Sequence, residues 1–311
     1  MEYRISGHES FPCRYAWLPK VVRNLADNPL LFSDEEKAMV DLGVGKNMVR
    51  SMRFWAQEAG ILTPIRGEGH FLTDLGGSIL GDGGSDPFLE DIRTLWLLHW
   101  NLSTAKEQPL LAWDFLLNRW QDPEFTQRTA LAALKKEVGL SNDKPLSSET
   151  LERHFETFLH TYVPTRGRKG EVQEDNLDCP LVELELIERI GERESAEHHG
   201  RREPIYAFRR EEKPEITTGL FLFCLNDFWS KRHGTEKTLT LRHVSYGHGS
   251  PGQVFKIPEE DIRSRLESLK ELTDGYYTYA ESANLQQLNR KGEGNIGQLL
   301  QEIYTSEVAH V

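Results

Sequence analysis

A chain of 311 residues with 38% hydrophobic and 28% charged side chains has the balance of a globular protein, and its length admits two or three domains. A net charge of −12 excludes a general polyelectrolyte binder of nucleic acid, although it leaves room for a local basic face. No apolar run reaches the roughly 18–20 residues of a membrane span, the start lacks a signal peptide's apolar core, and Cys13, Cys179 and Cys224 form neither a disulfide framework nor a CxxC pair; a reduced, soluble, cytoplasmic protein is expected.

Residues 5–12, ISGHESFP, precede a predicted helix over 15–27 whose apolar side is Trp17, Leu18, Val21, Val22 and Leu25. Ser33 and Glu36 have capping-box spacing for a short helix through residue 42. After Gly43 and Gly45, Met48, Met52, Trp55 and Ala59 recur at one face of a third helix, with Lys46, Asn47, Arg50, Arg53 and Gln57 opposite and only Glu58 nearby to oppose them. Gly60 suits a left-handed stop. Two extended runs, 61–65 and 70–73, joined by Arg66-Gly67-Glu68-Gly69, predict a hairpin. Three helices and a hairpin in this order predict a winged helix-turn-helix over residues 1–80. Over 44–73 four basic residues (Lys46, Arg50, Arg53, Arg66) face two acidic ones (Glu58, Glu68), so the local charge is reversed.

The Gly-rich 74–87 stretch is expected to be a boundary loop. Helices follow over 88–102, 110–120, 125–138 and 147–162, forming a helical middle domain, 88–163, that packing alone explains. Beyond the polar linker 164–171, a C-terminal domain over 172–311 is expected. It comprises a helix over 180–190, a mobile loop at 192–203, a short strand at 205–209 and a buried helix at 216–229. Strands at 237–246 and 253–257 come next, then a helix from Pro258 to residue 272, a hairpin of 276–280 and 285–290, and a last helix near 297–304. Helix followed by hairpin repeats the N-terminal logic and predicts a second, winged-helix-like module. The expected class is α+β, mainly α.

The segments GHESFPCRYAWLPK, LGVGKNMVRSMRFWAQEAGIL and SPGQVFKIPEEDI…YAESANLQQLNR resemble a bacterial domain-of-unknown-function family. That family is encoded in DNA phosphorothioation gene clusters beside phosphoadenosine-phosphosulfate-reductase-like enzymes, and it includes the DNA-nicking B component of single-strand phosphorothioation defence systems. The resemblance spans nearly the whole chain. It implies a DNA nickase working on double-stranded DNA with a cysteine desulfurase, an ATPase and the reductase-like enzyme as partners. Its motifs are family signatures and carry no catalytic residue with them.

The residues themselves divide accordingly. Lys46, Asn47, Arg50 and Arg53 are expected at base edges or phosphates of a major groove, with Arg66 on the neighbouring backbone or minor groove. The bland alternative is a solvated helix face. His8 and Glu9, with Arg14 nearby, are the best candidates for acid–base chemistry or a divalent metal and for clamping a phosphate; the alternative is an N-terminal segment pinned by hydrogen bonds. A nickase needs Mg²⁺ or Mn²⁺ held by converging carboxylates. Asp34-Glu35-Glu36-Lys37 is more simply a favourable helix start, Glu183 and Glu185 point apart on the expected helix, and no nuclease signature stands out. His198-His199 is read as a solvated pair, the 243–252 glycine loop as a strand connection without the GK[ST] of a phosphate loop, and Cys13 as structural. Three functions follow: a nicking DNA-binding component, a non-enzymatic DNA adaptor that recruits the modification enzymes, or a protein–protein scaffold.

Overall fold

The computed structural model describes residues 2–141, 146–164, 179–194, 202–282, 285–292 and 296–305. The chain divides into two compact units, one of Met1–Phe115 with Gln121–Phe208, the other of Leu116–Trp120 with Arg209–Val311. Among the described residues it is α+β and mainly helical, with three small antiparallel sheets. No described helix is long and apolar enough to cross a membrane.

The first unit starts with helices α1 (Trp17–Asp27), α2 (Glu35–Leu42) and α3 (Lys46–Glu58), the hairpin β1 (Leu62–Ile65) and β2 (Gly69–Leu72), and α4 (Asp74–Leu80). The cap of α2 is Asp34, one residue beyond the expected Ser33, and its side chain accepts the Glu36 and Lys37 amides. Helix α3 buries a wider face than the predicted stripe, from Val49 through Met52, Phe54, Trp55 and Ala56. It ends at Gly60, whose φ of 73° is the left-handed stop expected there.

The stretch expected to be a glycine loop at 74–87 instead opens with α4. Thr73 caps it by accepting the Gly76 amide at 2.9 Å. A Cβ on Gly76 would lie 2.3 Å from the Ile61 carbonyl oxygen, so this glycine serves close packing and does not break the helix.

Helix α5 (Ile92–Thr104) is buried over most of its surface, and it supplies the aromatic interior with α6 (Gln127–Ser141), α7 (Ser148–Tyr162) and Trp113, which lies on the helix expected at 110–120; that helix runs over 111–118 and is π-helical at Trp113–Leu117. Trp55, Trp96, Trp100, Trp113, Phe155, Phe158 and Tyr162 are fully buried. One polar cluster inside this core is paired: Trp113 Nε1 donates to the Tyr162 hydroxyl at 3.0 Å, and that oxygen lies 2.8 Å from His99 Nδ1. The helix expected at 180–190 is a 3₁₀ turn, Pro180–Leu184, stopped by Glu185 at φ 44°. The chain then runs as β4 (Ile187–Glu194), which with β5 (Arg202–Phe208) and β3 (Glu124–Phe125) forms a sheet of order β3-β5-β4. Strands β4 and β5 occupy part of the expected 192–203 loop; His198 and His199 lie outside the described residues, as does most of the 164–171 linker.

The second unit is built on α8 (Thr218–His233), buried nearly all round as expected, and α12 (Ile296–Thr305) packs against it so closely that a Cβ on Gly219 would sit 2.3 Å from the Glu302 carbonyl. Its sheet has the order β6-β8-β7, from β6 (Thr238–Thr240), β7 (Tyr277–Ser282) and β8 (Leu285–Arg290), with α11 (Glu259–Leu272) against β7. The strand expected over 237–246 stops after three residues, because Thr240 caps α9 (Leu241–Tyr246) by accepting the His243 amide. The strand expected at 253–257 is the short helix α10 (Pro251–Val254), started by the Ser250 cap with Pro251 at its first position.

Candidate nucleic-acid interface

The GHES segment is locked into a strained turn ahead of α1. Gly7, Glu9 and Ser10 have φ of 111°, 49° and 63°. Non-glycine residues in this region cost free energy and persist where surrounding contacts hold them. Those contacts are visible. Ser51 Oγ of α3 donates to the His8 carbonyl at 3.0 Å, and Trp55 Nε1 donates to the Phe11 carbonyl at 2.9 Å. A Cβ on Gly7 would sit 2.7 Å from the Phe54 ring.

His8 is 4% exposed, and its Nε2 lies 3.1 Å from Nδ1 of His154, which is fully buried on α7. The proton positions follow from the partners. The Ala112 amide can only donate, and it faces His154 Nε2 at 3.1 Å, so the His154 proton sits on Nδ1, with the Ile5 carbonyl as its backbone acceptor. The Ser10 amide likewise donates to His8 Nδ1 at 3.1 Å, the Thr157 hydroxyl oxygen lying 3.3 Å from the same nitrogen, so the His8 proton sits on Nε2, beside the Ile5 carbonyl. The pair has no lone pair to spare. Burial accordingly depresses both histidines, His8 to about 4 and His154 to about 3.

With His8 turned inward, Glu9 faces a cleft of about 220 Å³ lined by Arg4, Gly7, Glu9, Arg50, Arg53, Phe54, Gln57 and His70. Each wall has a sequence reason. Arg50, Arg53 and Gln57 recur at helical spacing on α3, and His70 is carried by β2, whose amide donates to the Pro29 carbonyl at 2.9 Å. Arg4 lies over the Phe54 ring, 4.8 Å from its centroid, and ion-pairs with Glu58, whose carboxyl is pushed up by burial.

The cations differ in how they are engaged. Arg50 makes a bidentate pair with Glu35 of α2, through Nε at 2.6 Å and Nη2 at 3.1 Å, and Lys46 joins the same carboxylate at 2.9 Å. These partners, Arg50 foremost, hold Glu35 down to about 2. Glu35 is thus the counter-ion of the basic ridge, from the 34–37 cluster whose local pattern reads only as a favourable helix start. Arg53 has no hydrogen bond or ion pair among the described residues; together with burial, which is the larger cause, its charge keeps His70 below the usual imidazole value. Arg66 is exposed at the β1–β2 turn, beside Gly67 at φ 83°, and is likewise unpaired among the described residues. Asn47 is exposed in the first turn of α3. Arg14 is not part of the cleft lining; its guanidinium lies 5.6 Å from the Trp17 ring centroid.

The fold therefore gathers Glu9, Arg50, Arg53 and Gln57 around one cleft and adds Arg4 and His70, to which the sequence pattern assigns no role. Arg4 and His70 lie far from α3 in sequence, and no local pattern marks them. Three guanidinium groups suit a phosphate or another anion. Mg²⁺ prefers oxygen ligands, commonly one or two carboxylates with substrate phosphates. Glu9 is the single carboxylate lining the cleft, so the donor set fits such an ion only in company with a phosphate.

The chain is similar to two solved structures over most of its length. One, the magnesium ion-bound SspB crystal structure, is 26% identical with a TM-score of 0.80, covering 96% of this chain and 85% of that one. The other, the SspB crystal structure, is 24% identical with a TM-score of 0.79 over the same shares. Comparison with curated proteins finds no significant match. Residues 5–304 match the family described as protein of unknown function (DUF4007), and the chain belongs to that family.

Proposed function

We propose that this protein is the DNA-binding component of a bacterial DNA phosphorothioate modification and anti-phage defence system, and that it nicks double-stranded DNA to allow sulfur incorporation. The likeness to SspB supports the pathway. The single observation that carries the DNA reading is the cleft at the foot of α3, where Arg53 is uncompensated and Glu9 is held in a strained turn beside it. The order α1, α2, α3 and hairpin supports a winged helix-turn-helix, with Lys46, Asn47 and Arg50 toward the groove, Arg66 on the wing and Arg14 as a flanking cation. Helix α11 followed by β7 and β8 supports a second, winged-helix-like module. A backbone phosphate seated between Arg53 and Arg50 would meet Glu9, and Glu9 with that phosphate would hold Mg²⁺ or Mn²⁺. The ion would supply charge neutralisation at the scissile group. His8 then acts as a positioning residue, fixing the turn that presents Glu9. The cysteine desulfurase, the ATPase and the reductase-like enzyme are the proposed cytoplasmic partners.

One observation favours a second reading. A cleft with a single carboxylate is equipped to bind a phosphate better than to cleave it, which suits an adaptor that recruits the modification enzymes. Supercoiled plasmid incubated with the protein and Mg²⁺ or Mn²⁺ separates the two. Open circles that vanish in Glu9→Gln, with binding retained, support nicking at the cleft. Salt-sensitive binding that weakens at least tenfold in Arg53→Glu, without open circles, leaves the adaptor. No salt-sensitive binding at all sinks both and leaves a protein scaffold.

A further inference from the structure

The second unit carries a cluster that the DNA reading does not use. His233 ends α8, Glu236 sits in the turn that follows, and His243 lies in the first turn of α9. One ligand atom from each lies within 4.8 Å of the other two. His233 Nδ1 is 2.6 Å from Glu236 Oε1, and the two imidazole rings stack with centroids 5.0 Å apart and an interplanar angle of 21°.

The three donors stand on a rigid frame. The Glu236 amide donates to the His233 carbonyl at 2.9 Å, and Trp229 Nε1 donates to the Glu236 carbonyl at 2.9 Å, so the turn is closed from both sides. The His233 ring packs edge-on against buried Phe228 at 5.1 Å. His243 is anchored through its own amide, which donates to Thr240 Oγ1 at 3.1 Å. All three remain half-buried or exposed, so solvent and an ion can reach them.

We propose that His233, Glu236 and His243 form a binding site for one transition-metal dication of the zinc class. Two imidazoles and a carboxylate are the donors such ions prefer, whereas Mg²⁺ takes oxygen ligands almost alone. Three protein ligands leave a fourth position to solvent, the open arrangement of an accessible site. Tetrahedral ligation with bonds of about 2.0–2.1 Å puts donors roughly 3.3 Å apart, so donors up to 4.8 Å apart draw in on loading while the 2.6 Å His233–Glu236 hydrogen bond gives way. Loading also has a local signature. The Thr240 amide approaches His243 Nδ1 at 3.5 Å. An imidazole that gives its lone pair to a metal has none left for this amide, whichever nitrogen binds, so Thr240 loses that acceptor.

This site is independent of the DNA reading, and so is its test. Tag-free full-length protein is titrated with Zn²⁺ and, for its visible spectrum, Co²⁺; bound metal is counted after dialysis. One equivalent, a Co²⁺ spectrum of nitrogen and oxygen ligands, and at least a tenfold loss of affinity in both His233→Gln and His243→Gln are expected. A shift of the Thr240 amide resonance on loading is expected with them. Mg²⁺ at the same concentration should not compete. Absence of saturable Zn²⁺ binding to the unaltered protein overturns the proposal, whether or not the variants fold. So does a thiolate–cobalt absorption from the buried cysteines, equal competition by Mg²⁺, or affinity unchanged in both variants.

Discussion

At the scale of the residue, the His8–His154 pair shows how burial turns a chemically suggestive residue into a pH-sensitive prop. Both rings are neutral when folded, with values near 4 and 3 against 6.5 when exposed to water. Between those limits the unfolded chain binds protons that the folded chain does not, so stability falls as pH drops. The contribution is complete above about pH 6.5 and is lost down through pH 4 for His8 and pH 3 for His154, at up to about 1.4 kcal/mol per pH unit for each histidine. Urea unfolding at pH 7 and pH 5 checks this. The loss in the unaltered protein should exceed that in His154→Gln, which removes one titrating ring and the pair's contact. Equal losses in the two proteins would show that the histidines do not titrate on unfolding, and the inward, neutral assignment of His8 would go with them.

At the scale of the element, what the sequence disclosed depended on how local the determining interaction was. Helix α3, its glycine stop and the β1–β2 hairpin were legible, because helical spacing, Gly60 and the RGEG turn are all contained within a few residues. So were α8, α11, α12 and the β7–β8 hairpin. Helix α4 was not, since its glycines are required by the approach of Ile61, a contact no window of sequence contains. Strand β4 was missed because its pairing partner β5 decides it over any helical propensity of 180–190. In the cleft, the cations on α3 were legible while their counter-ion was not, because Glu35 reaches them from α2 across 15 positions. That ion pair has a consequence for binding. Glu35 occupies the guanidinium of Arg50 and the ammonium of Lys46, the groups a phosphate would take. Glu35→Gln should therefore tighten DNA binding several-fold and steepen the log–log salt slope by up to roughly 1.8, two phosphate contacts at about 0.9 each. Fluorescence anisotropy with a labelled duplex at several salt concentrations measures both. Weaker binding in Glu35→Gln would mean that Glu35 orients the two cations for DNA instead of masking them.

At the scale of the whole molecule, the basic cleft sits on a protein of net charge −12. What approaching DNA senses depends on the screening length, about 30 Å at 0.01 M salt and about 10 Å at 0.1 M. At low salt the duplex encounters the field of the entire acidic chain; at moderate salt only the patch around Arg53 and Arg66 reaches it. A basic DNA-binding protein associates faster as salt is removed, by factors of about 10–10³. Here the long-range field opposes the short-range one, and that acceleration should be absent. The association rate constant is expected to change by less than about threefold between 0.01 and 0.1 M salt, with the dissociation rate carrying the salt dependence of affinity expected from counterion release. Stopped-flow association and chase experiments on the full chain resolve the two rates. A tenfold or larger fall in association rate over that range would mean that the basic face dominates the field at long distance, so that the acidic remainder of the molecule does nothing to restrain encounter with DNA.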